Sequence, residues 1–271
     1  NLIQPALLED FCYLDTSPEN LMPEQQQSQA HFLAKADGVL CGVDIAMRVF
    51  TFLQPGVITE IYKHDGDLLK KGDVIAKING STRALLKGER TALNLLQHLS
   101  GIATATHQAV LLTSGTKAGI TDTRKTLPGL RPLQKYAVVT GGGKNHRYNL
   151  SDAAMLKDNH IDAAGGIANA VRALKGKLGH MVKIEVEVRT LEELQQALQA
   201  GADIIMLDNM APQTMAQAVK ITNGQALLEA SGGITQQTLR EIAQTGVDII
   251  SIGALTHSVH ALDISMKITA P

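Results

Sequence analysis

The sequence predicts an α/β protein whose second part, residues 113–261, forms an incomplete parallel α/β barrel. Three observations lead to this class. Short apolar strands alternate there with amphipathic helices, an order typical of parallel sheets. Several of these strands carry their polar residues on one face. Residues 1–112 lack the alternation and are expected to form a separate domain. The six predicted strands lie in the runs AGITDT, AAMLKD, KIEVEV, ADIIMLD, ALLEASGG and VDIISIG.

The polar strand faces favour a barrel over an open doubly wound sheet. In KIEVEV, Lys183, Glu185 and Glu187 share one face because side chains alternate along a strand. Strands of a doubly wound sheet are apolar on both faces, whereas a lumen that opens into an active site can hold charges. The same arrangement recurs in two later strands, in Glu229 with Ser231 and in Ser251 with Gly253.

Helices are predicted between these strands, with Thr190 and Thr235 as N-caps. In the first domain, the alternating run GVITEIYKHDGDLLKKGDVIAKINGS predicts a β-meander. A biotinyl or lipoyl carrier has similar hairpins, but it presents its modified lysine at a hairpin tip that this run lacks. A long helix follows, and we expect a break in it near Ser100-Gly101.

Composition excludes several functions. With 25 Lys and Arg against 26 Asp and Glu, the formal net charge is −1, which gives no reason to expect nucleic acid. Aromatic residues make up 3% of the chain and Trp is absent, so base-stacking platforms are not expected. No apolar run of about 18 residues occurs, so no membrane span is predicted. Cys12 and Cys41 are expected to be reduced thiols of a cytoplasmic protein rather than a disulfide.

Positive charge is concentrated just after the start of the predicted barrel. Seven Lys or Arg fall between Asp122 and His160, against three Asp. In barrels of this kind the chemistry takes place at the C-terminal ends of the strands. Arg suits planar carboxylates and Lys suits phosphate oxygens, so the cluster predicts an anion site. The candidate residues at or after these strand ends are Thr123, Arg124, Lys125, His146, Arg147 and Lys157.

Two glycine-containing loops follow the last two strands and predict a phosphate site. Ser231, Gly232 and Gly233 close one strand, and Gly253 closes the next. Glycine lets backbone N–H groups approach a phosphate closely, often beside a helix N-terminus. Ordinary tight turns are the alternative. The run GGGKNH is not a P-loop, because no Lys-Ser or Lys-Thr pair follows its glycines.

Two carboxylates end neighbouring strands close to these cations. Glu187 and Asp208 can hold Mg²⁺, bind sugar hydroxyls or stabilise a cationic transition state. Internal ion pairs with Lys157 or Lys183 are the alternative, and Glu185 and Glu229 are interpreted as structural. The spacing typical of metal ligands is absent among His98, His107, His160, His257 and His260.

The chain resembles the quinolinate phosphoribosyltransferase family from about residue 30 onward. The motifs that carry this resemblance are ERTALNLLQHLSGIATAT, DTRKTLPGLR, GGGKNHRYNLSDAAMLKDNH, IEVEV, IMLDN, SGGI and DISMKI. DTRKT and NHR…MLKDNH together are highly specific. Near the start, EDFCYLDTSPEN departs from the acidic-Gly-Asp-Thr pattern common in the family, which affects the packing expected there and not the anion site.

The resemblance implies a fold and a reaction. The fold is an N-terminal α/β sandwich, residues 1–112 with the tail 262–271 packing on it, and an open α/β barrel, residues 113–261. The reaction joins quinolinate to phosphoribosyl pyrophosphate with Mg²⁺, and releases pyrophosphate and CO₂ to leave nicotinate mononucleotide for NAD biosynthesis. The resemblance also implies a homodimer in which Arg90 reaches the partner's site.

Residue roles follow from the resemblance in the same way. Arg124, His146 and Arg147, helped by Arg90, are expected to hold the carboxylates of quinolinate. Lys125 and Lys157 are expected to contact the sugar-phosphate and the pyrophosphate of the second substrate. Glu187 and Asp208 are expected to contact ribose hydroxyls or magnesium. The 5′-phosphate is expected to lie against Ser231, Gly232, Gly233 and Gly253, with Thr123 beside them. Lys125, Lys157, Glu187 and Asp208 are the expected catalytic residues.

Three alternatives stay open on sequence alone. A molybdenum-locus relative shares much of the barrel and uses another substrate. A Schiff-base aldolase would use Lys157 or Lys183 as nucleophile and would leave the seven cations unexplained. A sensor of a phosphate ligand would bind without releasing pyrophosphate.

Overall fold

A computed structural model describes residues 2–11 and 13–269. The chain divides into two compact units, Asn1–Ala105 with Val259–Pro271, and Thr106–Ser258. The division between the units lies at residues 105 and 106, inside the long helix Thr82–Leu112, whereas the boundary expected at residues 112 and 113 coincides with the end of that helix. Cys12 lies outside the described residues, and Cys41 is buried.

Helices and strands alternate in the second unit, apart from one pair of consecutive helices, but not in the first. The helices are α1 (Ile3–Asp10), α2 (Thr16–Leu21), α3 (Val43–Leu53), α4 (Thr82–Leu112), α5 (Arg131–Thr140), α6 (Asp158–Ala163), α7 (Ile167–Lys175), α8 (Leu191–Ala200), α9 (Pro212–Thr222), α10 (Gln236–Gln244) and α11 (Ala254–His257). The strands are β1 (Gln27–Ala34), β2 (Gly38–Val39), β3 (Ile58–Ile61), β4 (Leu68–Leu69), β5 (Val74–Ser81), β6 (Gly119–Thr121), β7 (Ala154–Leu156), β8 (Ile184–Val188), β9 (Ile204–Asp208), β10 (Leu227–Ser231), β11 (Ile249–Ser251) and β12 (Ile264–Thr269).

The first unit is built on an antiparallel sheet in the order β12-β1-β5-β3. Every second residue of β1 is buried, the alternation expected when one face of a sheet covers a core. Phe32 of β1 and Phe50 of α3 meet in that core edge to face, with ring centroids 6.0 Å apart. The predicted meander is wrong in one respect. β4 leaves the sequence of hairpins and pairs with β2 in a separate two-stranded sheet.

The long helix α4 runs without the predicted break at Ser100-Gly101. Contacts with other segments of the chain explain both residues. The Ser100 hydroxyl accepts a hydrogen bond from the Cys41 N–H at 3.0 Å. A Cβ on Gly101 would lie 2.2 Å from the carbonyl oxygen of His260. Glycine is therefore required by the close approach of another segment of backbone, and it costs the helix little at one position.

The second unit is a six-stranded parallel sheet in the order β6-β11-β10-β9-β8-β7. The barrel is open, because β6 and β7 do not pair with each other. Lys144 pairs with Thr121 along the outer side of β6, where its N–H donates to the carbonyl oxygen of Ile120 at 2.8 Å. This short bridge covers part of the free edge of β6 and brings the following residues over the end of the sheet.

Local signals in the second unit match the structure. Thr190 is the N-cap of α8 and its hydroxyl accepts from the Glu193 N–H at 3.1 Å. Thr235 is the N-cap of α10.

Among the described residues, no helix is both long and apolar enough to cross a bilayer.

Candidate active site

A cavity of about 540 Å³ opens at the C-terminal ends of the barrel strands. Its walls are built by strand alternation. Lys157 follows β7, Glu187 and Met206 lie in β8 and β9, and Glu229 and Ser231 lie in β10, all on the face toward the lumen. Asp208 and Ser251 end β9 and β11, and the loops supply the rest of the lining, which includes Thr123, Arg124, Lys125, His146, Arg147, Asn209, Gly232 and Gly233.

A smaller cavity of about 260 Å³ adjoins it and shares Lys125 and the Ser231–Gly233 loop. Gly253 and the start of α11 form its far side. A Cβ on Gly253 would lie 3.0 Å from Cδ of Lys125, so the absence of a side chain there lets the lysine pass. The Lys125 N–H donates to the hydroxyl of Thr123 at 3.0 Å, and the hydroxyl of Thr256 donates to the Lys125 carbonyl at 2.9 Å. The lysine backbone is thus fixed on both sides.

A buried ion pair supports the loop that carries the cations. Lys135 of α5 donates to Asp122 just after β6, and their side chains are 1% and 0% exposed. Asp122 also accepts from the His146 N–H at 2.9 Å. Burial raises the pKa of Asp122, while Lys135 acts in the opposite direction. Arg131 braces the same loop by donating to Thr126 at 3.0 Å and to the Tyr148 carbonyl at 3.1 Å. Lys135 and Arg131 are therefore structural members of the cation cluster.

Arg147 is held by contacts within its own loop. Its guanidinium donates to the Ala153 carbonyl at 2.9 Å and lies 3.5 Å from the sulfur of Met155. Burial lowers the pKa of Arg147, and the neighbouring Arg124 guanidinium acts in the same direction. Both guanidinium groups line the larger cavity, where an anion would offset their mutual repulsion.

His146 sits on two buried carboxylates in the barrel lumen. Its Nε2 lies 3.2 Å from Glu185 and 3.4 Å from Glu229, whose side chains are 2% and 1% exposed. Its Nδ1 accepts from the Arg147 N–H at 2.8 Å. Both ring nitrogens are therefore engaged within the protein. Glu185 and Glu229, interpreted from sequence as structural residues, are buried here, and no sequence pattern indicated their histidine partner.

The carboxylates decide the charge of this histidine. Burial alone would lower the pKa of His146, but hydrogen bonds to Glu185 and Glu229 outweigh it and raise the pKa to about 10. The Arg147 N–H opposes this by favouring an unprotonated Nδ1. Two carboxylate charges outweigh one backbone dipole, so the raised value is the net result. Burial also raises the pKa of Glu185.

The ligand atoms of His146, Glu185 and Glu229 all lie within 4.8 Å of one another, a spacing that would also suit a metal ion. One oxygen on each carboxylate, Oε1, is buried and has no hydrogen-bond partner in the described structure. The hydroxyls of Thr121 and Ser251, on lumen-facing positions of β6 and β11, are also buried without a hydrogen-bond partner in the described structure. Buried polar atoms of this kind are usually satisfied by ordered water.

The acidic side of the cavity is occupied by cations of the protein. Lys157 pairs with Glu187, which is the internal ion pair considered above as an alternative. Arg189 lies 3.0 Å from Asp158, 4.0 Å from Glu187 and 3.5 Å from Asp208. Arg189 was not predicted. Its position directly after the IEVEV strand was the available signal, since strand ends carry the site.

The structure thus brings together twelve of the thirteen expected residues along the two cavities: Thr123, Arg124, Lys125, His146, Arg147, Lys157, Glu187, Asp208, Ser231, Gly232, Gly233 and Gly253. The thirteenth, Arg90, belongs to the other unit. It is exposed on α4 and forms no ion pair with any residue that the structure describes. Asn209 also lines the larger cavity and was not predicted.

Family models match nearly the whole chain. The quinolinate phosphoribosyl transferase N-terminal domain matches residues 15–100, and the quinolinate phosphoribosyl transferase C-terminal domain matches residues 102–267.

Named relatives agree with these matches. A probable carboxylating nicotinate-nucleotide pyrophosphorylase of Bacillus subtilis (strain 168) is 48% identical, over 99% of this chain and 92% of that protein. The chloroplastic carboxylating nicotinate-nucleotide pyrophosphorylase of Arabidopsis thaliana is 42% identical, over 98% of this chain and 82% of that protein.

Solved structures show the same fold. NadC from Streptococcus pyogenes superposes with a TM-score of 0.95 at 42% identity, covering 99% of this chain and 95% of that one. The nicotinate-nucleotide pyrophosphorylase from Francisella tularensis gives a TM-score of 0.94 at 41% identity, with coverage of 99% and 95%. The mixed α/β architecture with an antiparallel first sheet and an open parallel barrel is therefore confirmed, and the chain belongs to the quinolinate phosphoribosyltransferase family.

Proposed function

We propose that this protein transfers the phosphoribosyl group of phosphoribosyl pyrophosphate to quinolinate, releasing pyrophosphate and CO₂ and leaving nicotinate mononucleotide. The observation that carries the proposal is the division of charge around one cavity. Arg124, Lys125, Arg147 and Lys157 line it together with the carboxylates of Glu187 and Asp208. Two polyanionic substrates that react through a cationic sugar need both kinds of charge. The relatives' names support the same reaction.

The quinolinate carboxylates fit the guanidinium groups of Arg124 and Arg147. Each guanidinium offers a planar fork of donors that matches a carboxylate. His146 adds positive charge from its position in the barrel lumen. Because both of its ring nitrogens face groups of the protein, we assign its contribution to charge and not to direct contact with quinolinate.

The second substrate fits the remaining groups. Glu187 and Asp208 stabilise the positive charge that develops on the ribose as pyrophosphate leaves. Lys125 and Lys157 attract the leaving group, which requires Lys157 to exchange its pairing with Glu187 for a phosphate oxygen. The adjoining cavity, with Ser231, Gly232, Gly233 and Gly253, suits the 5′-phosphate.

The reaction needs little proton transfer before bond formation. The pyridine nitrogen of quinolinate attacks the anomeric carbon with its own lone pair, so no general base is required. Once bonded, this nitrogen is cationic and stabilises the electron pair that remains on C2 when the 2-carboxylate departs as CO₂, and a proton from water then completes C2. Decarboxylation therefore follows transfer.

Mg²⁺ is part of the proposal. It prefers oxygen ligands and commonly binds through one or two carboxylates together with substrate phosphates. Glu187 and Asp208 offer such oxygens on neighbouring strands. They are balanced by Lys157 and Arg189, so the residues fit an ion that arrives with the phosphates. The ion would supply neutralisation of phosphate charge.

The decisive experiment compares quinolinate with nicotinate. With phosphoribosyl pyrophosphate and Mg²⁺, the proposal expects equal amounts of CO₂ and pyrophosphate from quinolinate and neither product from nicotinate. Pyrophosphate release with nicotinate at a comparable rate would overturn the assignment, and binding without release would identify a sensor. Borohydride trapping of a carbonyl substrate would identify the aldolase alternative.

A homodimer in which Arg90 acts in the partner's site is also part of the proposal. Arg90 supports it by being exposed and by lacking an ion pair among the described residues. The test mixes inactive Arg90→Ala with inactive Lys157→Ala and lets subunits exchange. If Arg90 acts in trans, each mixed dimer has one intact site and activity returns, up to half per dimer. If it acts in cis, every site keeps one defect and the mixture stays inactive.

A further inference from the structure

Asn209 stands out by its backbone conformation. Two non-glycine residues in the described structure have a positive φ, Asn209 at 54° and Asn223 at 44°. Asn223 is the C-cap of α9, where a left-handed residue commonly ends a helix. Asn209 ends no helix. It directly follows β9 in the larger cavity, and residues held in uncommon conformations cluster at functional sites.

The side chain of Asn209 contacts both halves of the sugar-phosphate site. Its Nδ2 donates to Oδ1 of Asp208 at 3.0 Å. Its Oδ1 lies against Gly232, where a Cβ would come within 2.3 Å of that oxygen. Its backbone N–H donates to the Ser231 carbonyl at 2.9 Å. One residue therefore connects a carboxylate of the site with the loop assigned to phosphate.

The contact with Asp208 leaves this carboxylate one oxygen for a ligand. Oδ1 is taken by the Asn209 amide, and Oδ2 lies 3.5 Å from Nε of the exposed Arg189. The same hydrogen bond also restrains which way the carboxylate plane of Asp208 faces. The left-handed backbone of Asn209 is what turns its amide back toward Asp208 and across Gly232.

We propose that Asn209 is a positioning residue that sets the orientation of Asp208 and the spacing of the Ser231–Gly233 loop, and so determines how phosphoribosyl pyrophosphate is held. The inference rests on the proposed function, since it assigns the sugar-phosphate side of that site. The simpler alternative is that Asn209 is present only because asparagine tolerates a left-handed turn.

Two substitutions separate these explanations. Asn209→Gly keeps the left-handed backbone without strain and removes the amide. Asn209→Asp keeps the shape and the tolerance for this conformation, but it places a carboxylate where a donor faced Asp208. A turn residue would accept glycine without loss. Asn223→Gly is the matched control, because it makes the same change at the other left-handed asparagine, which lines neither cavity of the site.

The experiment measures kcat/KM with each substrate varied in turn, and the affinity for phosphoribosyl pyrophosphate with Mg²⁺ by calorimetry. In Asn209→Gly we expect both the affinity and kcat/KM for phosphoribosyl pyrophosphate to fall about tenfold, the size of one charge-assisted hydrogen bond. We expect a larger fall in Asn209→Asp. The KM for quinolinate and the melting temperature should stay near the wild-type values, and Asn223→Gly should match the wild type.

The outcomes distinguish this inference from the proposed function. If the wild type releases pyrophosphate and CO₂ and Asn209→Gly matches it, the positioning role is wrong and the proposed function stands. Equal losses for both substrates, or a collapse of the melting temperature, would show a structural role and would also overturn the positioning role. A wild type that neither binds phosphoribosyl pyrophosphate nor releases pyrophosphate would overturn both.

Discussion

The two ends of the barrel strands use the same residue types in opposite ways. At the N-terminal end, Asp203 accepts from the Ile184 N–H at 2.9 Å and Asp248 accepts from the Leu228 N–H at 2.9 Å. Each also pairs with a lysine, Lys183 at 3.2 Å and Lys117 at 2.8 Å. These carboxylates tie one strand to the next.

At the C-terminal end of the same strand β9, Asp208 faces an open cavity. Its partners there are side chains, Asn209 and Arg189, and side chains can move when a ligand arrives. The difference lies in the partners of each carboxylate and not in its residue type. A carboxylate that accepts from backbone N–H groups of a neighbouring strand stabilises the sheet, whereas one whose partners are side chains at a cavity can exchange them for a ligand. Substitutions at the N-terminal end should therefore cost stability, and those at the C-terminal end should cost activity.

The largest contrast is expected between two glycines with positive φ. Gly232→Ala at the C-terminal end puts a Cβ 2.3 Å from Asn209 at a φ of 90°, so we expect kcat/KM for phosphoribosyl pyrophosphate to fall about 100-fold through displacement of the loop. Gly224→Ala at the other end has a φ of 75° and no atom within 4 Å of the new Cβ. It should lose some stability and no activity. Equal activity in the two variants would contradict the assignment of activity to the C-terminal end of the strands and of stability to the N-terminal end.

A smaller loss is expected from Arg147→Lys. A lysine keeps the charge but not the planar fork or the bond to the Ala153 carbonyl. We expect the KM for quinolinate to rise by a factor that corresponds to about 1–3 kcal/mol, with little change in the melting temperature. Arg172→Lys on α7, away from the cavity, is the control. Near-normal kinetics for Arg147→Lys would remove this residue from the carboxylate site.

Asp248→Ala should show the reverse behaviour. It leaves the Leu228 N–H without its side-chain acceptor, so we expect the free energy of unfolding to fall by about 1–3 kcal/mol. Turnover of the folded protein should be unchanged well below its melting temperature. Lys117→Ala breaks only the exposed ion pair and should cost less than about 1 kcal/mol. A loss of turnover in Asp248→Ala without a loss of stability would contradict the assignment.

The last contrast concerns pH. The folded-state pKa of His146, about 10, lies above its ordinary 6.5, so the folded protein holds this proton more tightly than the unfolded chain. The resulting stabilisation is complete below pH 6.5, declines as the pH rises and is lost above the folded-state pKa. The difference in unfolding free energy between wild type and His146→Gln, measured by urea titration, should therefore shrink from mildly acidic to alkaline pH. A difference that grows with pH would be inconsistent with a charged His146.

Sequence periodicity was sufficient for the six barrel strands, their lumen-facing parity and the residues at their ends. These features follow from local alternation and from the general location of sites in barrels. The partners of buried charges could not be predicted, because Lys135 and Asp122, or His146 and Glu229, meet only after distant strands align. The continuous helix at Gly101 was missed for the same reason, since the backbone it approaches, at His260, lies far along the chain. Asn209 lay inside a quoted motif, but its left-handed turn has no periodic signal.

Strand order also determines when the protein can become active during synthesis. β6, which leads directly into Arg124 and Lys125, is made early, yet its partner in the sheet is β11 at residues 249–251. In the first unit, β1 pairs on one side with β12 at residues 264–269. Pairings this distant close large loops and form slowly. Both sheets therefore stay incomplete until the late strands leave the ribosome, and we expect a nascent chain that has made the cations from Arg124 to Lys157 but not β11 to lack the proposed anion site.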